Sequence, residues 1–153
     1  MELTYESISE YMKKYFEAFC AFGQDPRNIH RMDEYFSPDF EFIPYSNVPP
    51  VKGRDDWYRL LLSHPSGYEK LSPEDYIIDD RRKVVVVKIK AEISDSTTRE
   101  VLVSKRYCAR YALYLDETHT IKIRSMEFFW EVLSPGALEI TDVFERDWKR
   151  QAT

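Results

Sequence analysis

Glycine is scarce in this chain, with four in 153 residues, and none sits in the Gly-rich loop that cradles a phosphate. The three histidines, His30, His64 and His119, are far apart, and there is no HExxH or cysteine cluster, so no metal and no cofactor are expected. No GxSxG elbow is present. The two cysteines, Cys20 and Cys108, form no CxxC and read as reduced, small core residues in a reducing compartment, so a cytoplasmic protein is expected. No apolar run is long enough to span a membrane, and the opening MELTYESISEY lacks the basic and apolar segments of a signal peptide. The net charge of −5 gives no footprint for nucleic acid.

Aromatic residues are abundant instead. Eleven Tyr and nine Phe exceed the needs of a minimal core, so some are candidates for lining a cavity. There is no repeat and no long linker, and residues 1–153 read as one domain in two halves. In the first half, Ile8, Met12, Tyr15, Phe19 and Phe22 recur at helical spacing, with Ser7 and Glu10 as a capping box at the entry and Gly23 to Pro26 as the stop. A short helix over Asn28 to Phe36 follows, then the strand SPDFEFIPYSN (Ser37 to Asn47). A third helix, carrying Trp57, starts near Arg54 with Asp55 and Asp56 in its first turn and stops at Pro65. The second half is strand-rich: a weak EDYIIDD, then Lys83 to Ile93, Val101 to Leu115 and Ile121 to Leu133, joined by polar turns. A final arm holds Phe144 and Trp148 and is a candidate cover for a pocket mouth. Helices followed by an antiparallel meander predict an α+β fold with helices packed on one sheet face.

The stretches MDEYFSPDFEF…KGRDDWYRLLL and YLDETHTIKIRSMEFFWEV resemble signatures of the nuclear-transport-factor-2-like superfamily, which includes ketosteroid isomerases, scytalone dehydratases and SnoaL-like polyketide cyclases. The resemblance spans most of the chain but is poor in function, because that fold hosts enzymes, binding modules and adaptors alike. It implies a cone-shaped α+β barrel, with N-terminal helices packed in a curved, mostly antiparallel sheet and a pocket at the open end. It also implies a homodimer through the convex sheet face, where Cys108, Arg110, Ala112 and Tyr114 alternate with an inward set of Tyr107, Ala109, Tyr111 and Leu113.

Aligned on Phe36 and Gly53, the ketosteroid isomerases place their proton-moving aspartate where this chain has Pro44. Proline moves no proton, though it ends an edge strand and walls an apolar pocket. The same resemblance puts Tyr111, and Tyr15 in a less certain register, at positions that stabilise an oxyanion; a core ring with its hydroxyl bonded to backbone is the alternative for each, and more so for Tyr15. Scytalone dehydratases use a pair of pocket histidines that has no counterpart here. The candidate acid is Glu127, flanked by Met126, Phe128, Phe129 and Trp130, since burial there would raise its pKa and suit it to general acid or base work. Its face is open: Ile123, Ser125, Glu127 and Phe129 share one side, Lys122, Arg124, Met126, Phe128 and Trp130 the other, and a one-residue slip swaps them. A solvated or dimer-face glutamate bridged to a basic residue is the alternative. His64, at the end of the third helix, is either a proton shuttle or a residue favoured by the helix dipole. Phe42, Pro44, Trp57, Tyr107 and Phe129 are the expected walls of a ligand site.

The functional expectation is a cofactor-free isomerase, cyclase or dehydratase acting on a hydrophobic polyketide- or terpenoid-like intermediate of secondary metabolism. The alternative is a non-catalytic module that binds a ligand or a protein through the same cone. A titratable acid in the cavity beside a tyrosine would favour the first, and a dry pocket without one the second.

Overall fold

The computed structural model describes residues 2–45, 49–63, 67–95, 97–129 and 136. Helix α1 (Tyr5–Gln24) is followed by a 3-10 helix (Pro26–Glu34), strands β1 (Phe36–Ile43) and β2 (Val51–Lys52), helix α2 (Arg54–Leu61) and strands β3 (Gly67–Asp79), β4 (Val84–Asp95), β5 (Val101–Leu115) and β6 (Ile121–Phe129). The six strands form one open sheet in the order β2-β1-β6-β5-β4-β3. All pairings are antiparallel except β1 with β6. The architecture is therefore the expected α+β cone with a mixed sheet that does not close into a barrel.

α1 buries the expected stripe: Ile8, Met12 and Tyr15 are fully enclosed, and Phe19 and Phe22 nearly so. Its capping box is one turn earlier than expected. Thr4 is the N-cap, with Ser7 at the third helical position returning a bond to the Thr4 backbone; Glu10 instead pairs with Lys14 on the solvent face. The second helix is a 3-10 segment kinked at Asn28 rather than an α-helix. Gly53 enters α2 at φ 92°, a conformation that favours glycine, while its N–H bonds the Phe40 carbonyl at 2.8 Å. Arg54 then ties α2 back, bonding the Phe36 carbonyl at 3.1 Å and lying 3.6 Å from Asp33, which also accepts the Tyr58 hydroxyl at 2.6 Å.

β3 is the largest departure from expectation. It runs 13 residues and takes in Tyr68 to Pro73, because Pro73 falls on an edge strand and a register shift between Pro73 and Asp75 absorbs it. β5 matches the expected bounds, with Tyr107, Ala109, Tyr111 and Leu113 buried on the concave face. The cysteines depart from the core reading. Cys20 is half-buried, its thiol directed at the Leu71 carbonyl at 3.1 Å, and Cys108 is exposed on the outer face; both are free.

Candidate active site

A cavity of about 270 Å³ opens on the concave side of the sheet. α1 contributes Tyr15, Phe19 and Phe22, α2 contributes Trp57, Leu60 and Leu61, and the sheet contributes residues from five strands. An aromatic belt runs round it. Trp57 packs on Phe42 with centroids 4.5 Å apart, Phe42 meets Phe128 edge-on at 4.9 Å, and Phe128 meets Tyr107 at 4.7 Å. The volume lies just below the range of roughly 300–1,000 Å³ common for small-molecule sites, which suits a compact ligand.

The expected wall residues Phe42, Pro44, Trp57 and Tyr107 line this cavity, as does Tyr15. Tyr111 is fully buried behind it, its ring 5.6 Å from that of Tyr15. Neither hydroxyl makes a well-formed hydrogen bond. Burial drives both phenols well above their ordinary pKa, and each also feels the other and the charge of Glu69. His64 lies outside the described residues, as does the C-terminal arm with Phe144 and Trp148. His30 and His119 are exposed, and His30 lies 3.5 Å from Asp33. No cluster of metal-ligating side chains occurs among the described residues.

The expected acid faces the other way. Ile121 and Ile123 point inward, then a bulge places Arg124 as the extra residue, and Met126 and Phe128 take over the inward face. Each possible face assignment of β6 is thus right on one side of the bulge, and a bulge reverses the alternation that a sequence count assumes. Glu127 consequently sits on the outer face, bonded to Arg110 at 2.8 Å and to the Tyr45 hydroxyl at 2.6 Å. Phe129 follows it outward, 50% exposed and stacked on Tyr45 at 5.3 Å. Neither lines the cavity.

The acid that does line it is Glu69 on β3. It shares the concave face with Leu71 and stands in one cross-strand row with Ile93 and Val103. Its carboxyl has no hydrogen-bond or ion-pair partner among the described residues, and desolvation raises its pKa above the ordinary 4.5. Its charge adds to the burial that raises the pKa of Tyr15, Tyr107 and Tyr111. Gly23 sets its height: a β-carbon there would collide with the Glu69 carbonyl oxygen, so only glycine lets the end of α1 close on β3. The alternation Glu69, Leu71 is the one sequence signal for this residue, and it is hidden by the Ser72-Pro73 pair that reads as a break. Lys105 on β5 is the other charged residue at the cavity.

No protein-family model and no curated protein matches this chain. Solved structures do. SalBIII, an epoxide hydrolase/cyclase-like enzyme described in pyran ring formation in the polyether salinomycin, is 19% identical, with TM-score 0.59 over 83% of this chain and 92% of that one. An NTF2-like protein of unknown function from Burkholderia pseudomallei is 13% identical, with TM-score 0.59 over 80% and 89%. A protein from Catenulispora acidiphila in complex with S-DNPA is 15% identical, with TM-score 0.59 over 80% and 94%. The fold is the nuclear-transport-factor-2-like one that the sequence resembles.

Proposed function

We propose that the protein is a cofactor-free enzyme that moves a proton on a hydrophobic small molecule, in an isomerisation, cyclisation or dehydration of a polyketide- or terpenoid-like intermediate of secondary metabolism. Glu69, rather than Glu127, is the proton-transferring group. The observation that carries this is a carboxyl in an aromatic-walled cavity with no partner among the described residues. A raised carboxyl pKa lies nearer neutrality, where general acid–base catalysis is most efficient. As a base, Glu69 takes a proton from a carbon or hydroxyl of the ligand and returns it at a second position, so no redox partner is needed. Tyr15 and Tyr107, which line the cavity, supply hydroxyl donors for an oxygen that gains negative charge. The cyclase-like description of one structural neighbour supports the same chemistry by analogy of fold. Pairing of two copies through the outer face around Cys108, Arg110, Ala112 and Tyr114 belongs to this reading.

The test uses a minimal probe. β-Tetralone in D2O exchanges its α-hydrogens by proton abstraction, followed by proton NMR. Wild-type protein accelerates the exchange, and Glu69→Gln loses about 10²–10⁴-fold of that acceleration. No acceleration over buffer, or equal rates for the two proteins, overturns the assignment and leaves the cone as a binding module.

A further inference from the structure

Strand β1 runs parallel to β6, with Phe42 beside Met126 and Ile43 beside Glu127. The alternation continues beyond the ladder: Phe42 and Pro44 face the cavity, while Tyr45 reaches Glu127 and Phe129 on the outer side. The ladder stops where it does because Pro44 has no N–H to donate. Beyond Pro44 a side chain anchors the chain on the outer face. The Tyr45 ring stacks on Phe129 at 5.3 Å and 27°, and its hydroxyl donates to Glu127 Oε1 at 2.6 Å. The second carboxylate oxygen is held by Arg110 at 2.8 Å, so Glu127 links β1 to β5 across β6. Tyr45 sits at φ 46°, a conformation that a tyrosine keeps only where its surroundings hold it.

We propose that Tyr45, Glu127 and Arg110 form a strut on the outer face that fixes Pro44 in the cavity wall and so sets the size of ligand the cavity accepts. The strut adds a side-chain anchor beside a residue that has no backbone N–H to donate. Glu127 is a positioning residue and touches no ligand. The surroundings argue against a chance surface pair: the Glu127 side chain is 17% exposed, and both its oxygens are engaged. Loosening the strut lets Pro44 move outward by an amount that matters little to a small ligand and more to a large one.

The inference rests on the cavity being the ligand site, and two probes of different size separate the two claims. Binding of β-naphthol and of hydroxypyrene is measured by fluorescence titration for wild type, Tyr45→Phe and Glu127→Gln. Wild type prefers the two-ring probe. Both variants narrow that preference about fivefold, the worth of roughly one hydrogen bond, chiefly by gaining affinity for the four-ring probe. A purely structural role would weaken both probes alike, and an unchanged preference in both variants overturns the strut while leaving the cavity reading intact. Failure of wild type to bind either probe overturns the cavity reading and the strut with it. Tyr45→Phe is the decisive variant should Glu127→Gln fold poorly, because it keeps the Phe129 stacking and the Arg110 pair.

Discussion

Two glutamates on opposite faces of one sheet show what makes a carboxyl chemically useful. Glu127 sits in an apolar stretch of the sequence, yet its carboxylate is met by an arginine and a tyrosine. Glu69 sits among polar neighbours in sequence, GYEKLS, yet faces an apolar cavity with no partner among the described residues. Flanking residues along a strand point to both faces, so they say little about the surroundings of one side chain. Cross-strand and cross-layer neighbours decide those surroundings. The outer carboxylate is therefore engaged in holding strands together, and the inner one faces the cavity with no partner among the described residues.

The sharpest break of this comparison is kinetic. Glu69→Gln abolishes the bulk of the α-hydrogen exchange of β-tetralone, whereas Glu127→Gln changes it by less than about tenfold, since that residue acts only through Pro44. Equal losses in the two variants would erase the distinction between the faces.

Next in size is Gly23→Ala. Alanine is the better helix former by about 0.5–1 kcal/mol, but its β-carbon meets the Glu69 backbone carbonyl, which has no rotamer with which to escape. Overpacking of that kind costs typically about 1–3 kcal/mol, so the clash wins and the variant melts lower. Exchange activity falls with it, because Glu69 is displaced from the cavity wall. A variant as stable and active as wild type would mean that α1 and β3 lie further apart than the structure places them.

Glu69 also leaves a mark on stability. Its folded-state pKa is raised above the unfolded value of about 4.5, so the folded protein binds the proton more tightly than the unfolded chain. Stability is then undiminished below about pH 4.5 and falls as pH rises from there toward the folded pKa, above which the loss is constant. Glu69→Gln removes that loss. Relative to wild type it gains melting temperature on going from pH 4 to pH 8, by about 2–4 °C for each kcal/mol. Thermal melts across that range check it, and a gap that does not change with pH would show that the carboxyl is not desolvated.

Most of the scaffold was legible in the residues themselves. The buried stripe of α1 and the inward set on β5 follow from period and alternation over long segments, where one competing interaction cannot reverse the pattern. The wall residues Phe42, Pro44, Tyr107 and Trp57 followed from the resemblance and the aromatic excess. What failed did so at irregular backbone. The bulge at Arg124 swaps the faces of β6 halfway along, and Ser72-Pro73 lies inside an edge strand instead of ending it. Both features depend on pairing with a neighbouring strand, which a single segment does not display. They put the acid that lines the cavity on β3 and not on β6.

The smallest expected effect carries the same contrast to the tyrosines. Tyr58 donates to Asp33 at 2.6 Å, in a cluster that also includes Arg54. Tyr111 is fully enclosed beside Tyr15, with no well-formed bond to its hydroxyl. Removing a partnered hydroxyl forfeits about 0.5–1.5 kcal/mol, and somewhat more where the partner is charged. Removing an unpartnered one deletes a desolvated polar atom and is close to neutral. Tyr58→Phe should therefore lower stability by about 1–2 kcal/mol, while Tyr111→Phe stays within about 1 kcal/mol of wild type, in denaturant melts at neutral pH. The ring of Tyr111 packs on Tyr15 and Phe16, so phenylalanine keeps the contacts and only the hydroxyl is tested. A loss above about 2 kcal/mol would mean that the Tyr15 and Tyr111 hydroxyls share a strong bond. The tyrosines that line and back the cavity would then form a connected polar network around the inner carboxyl.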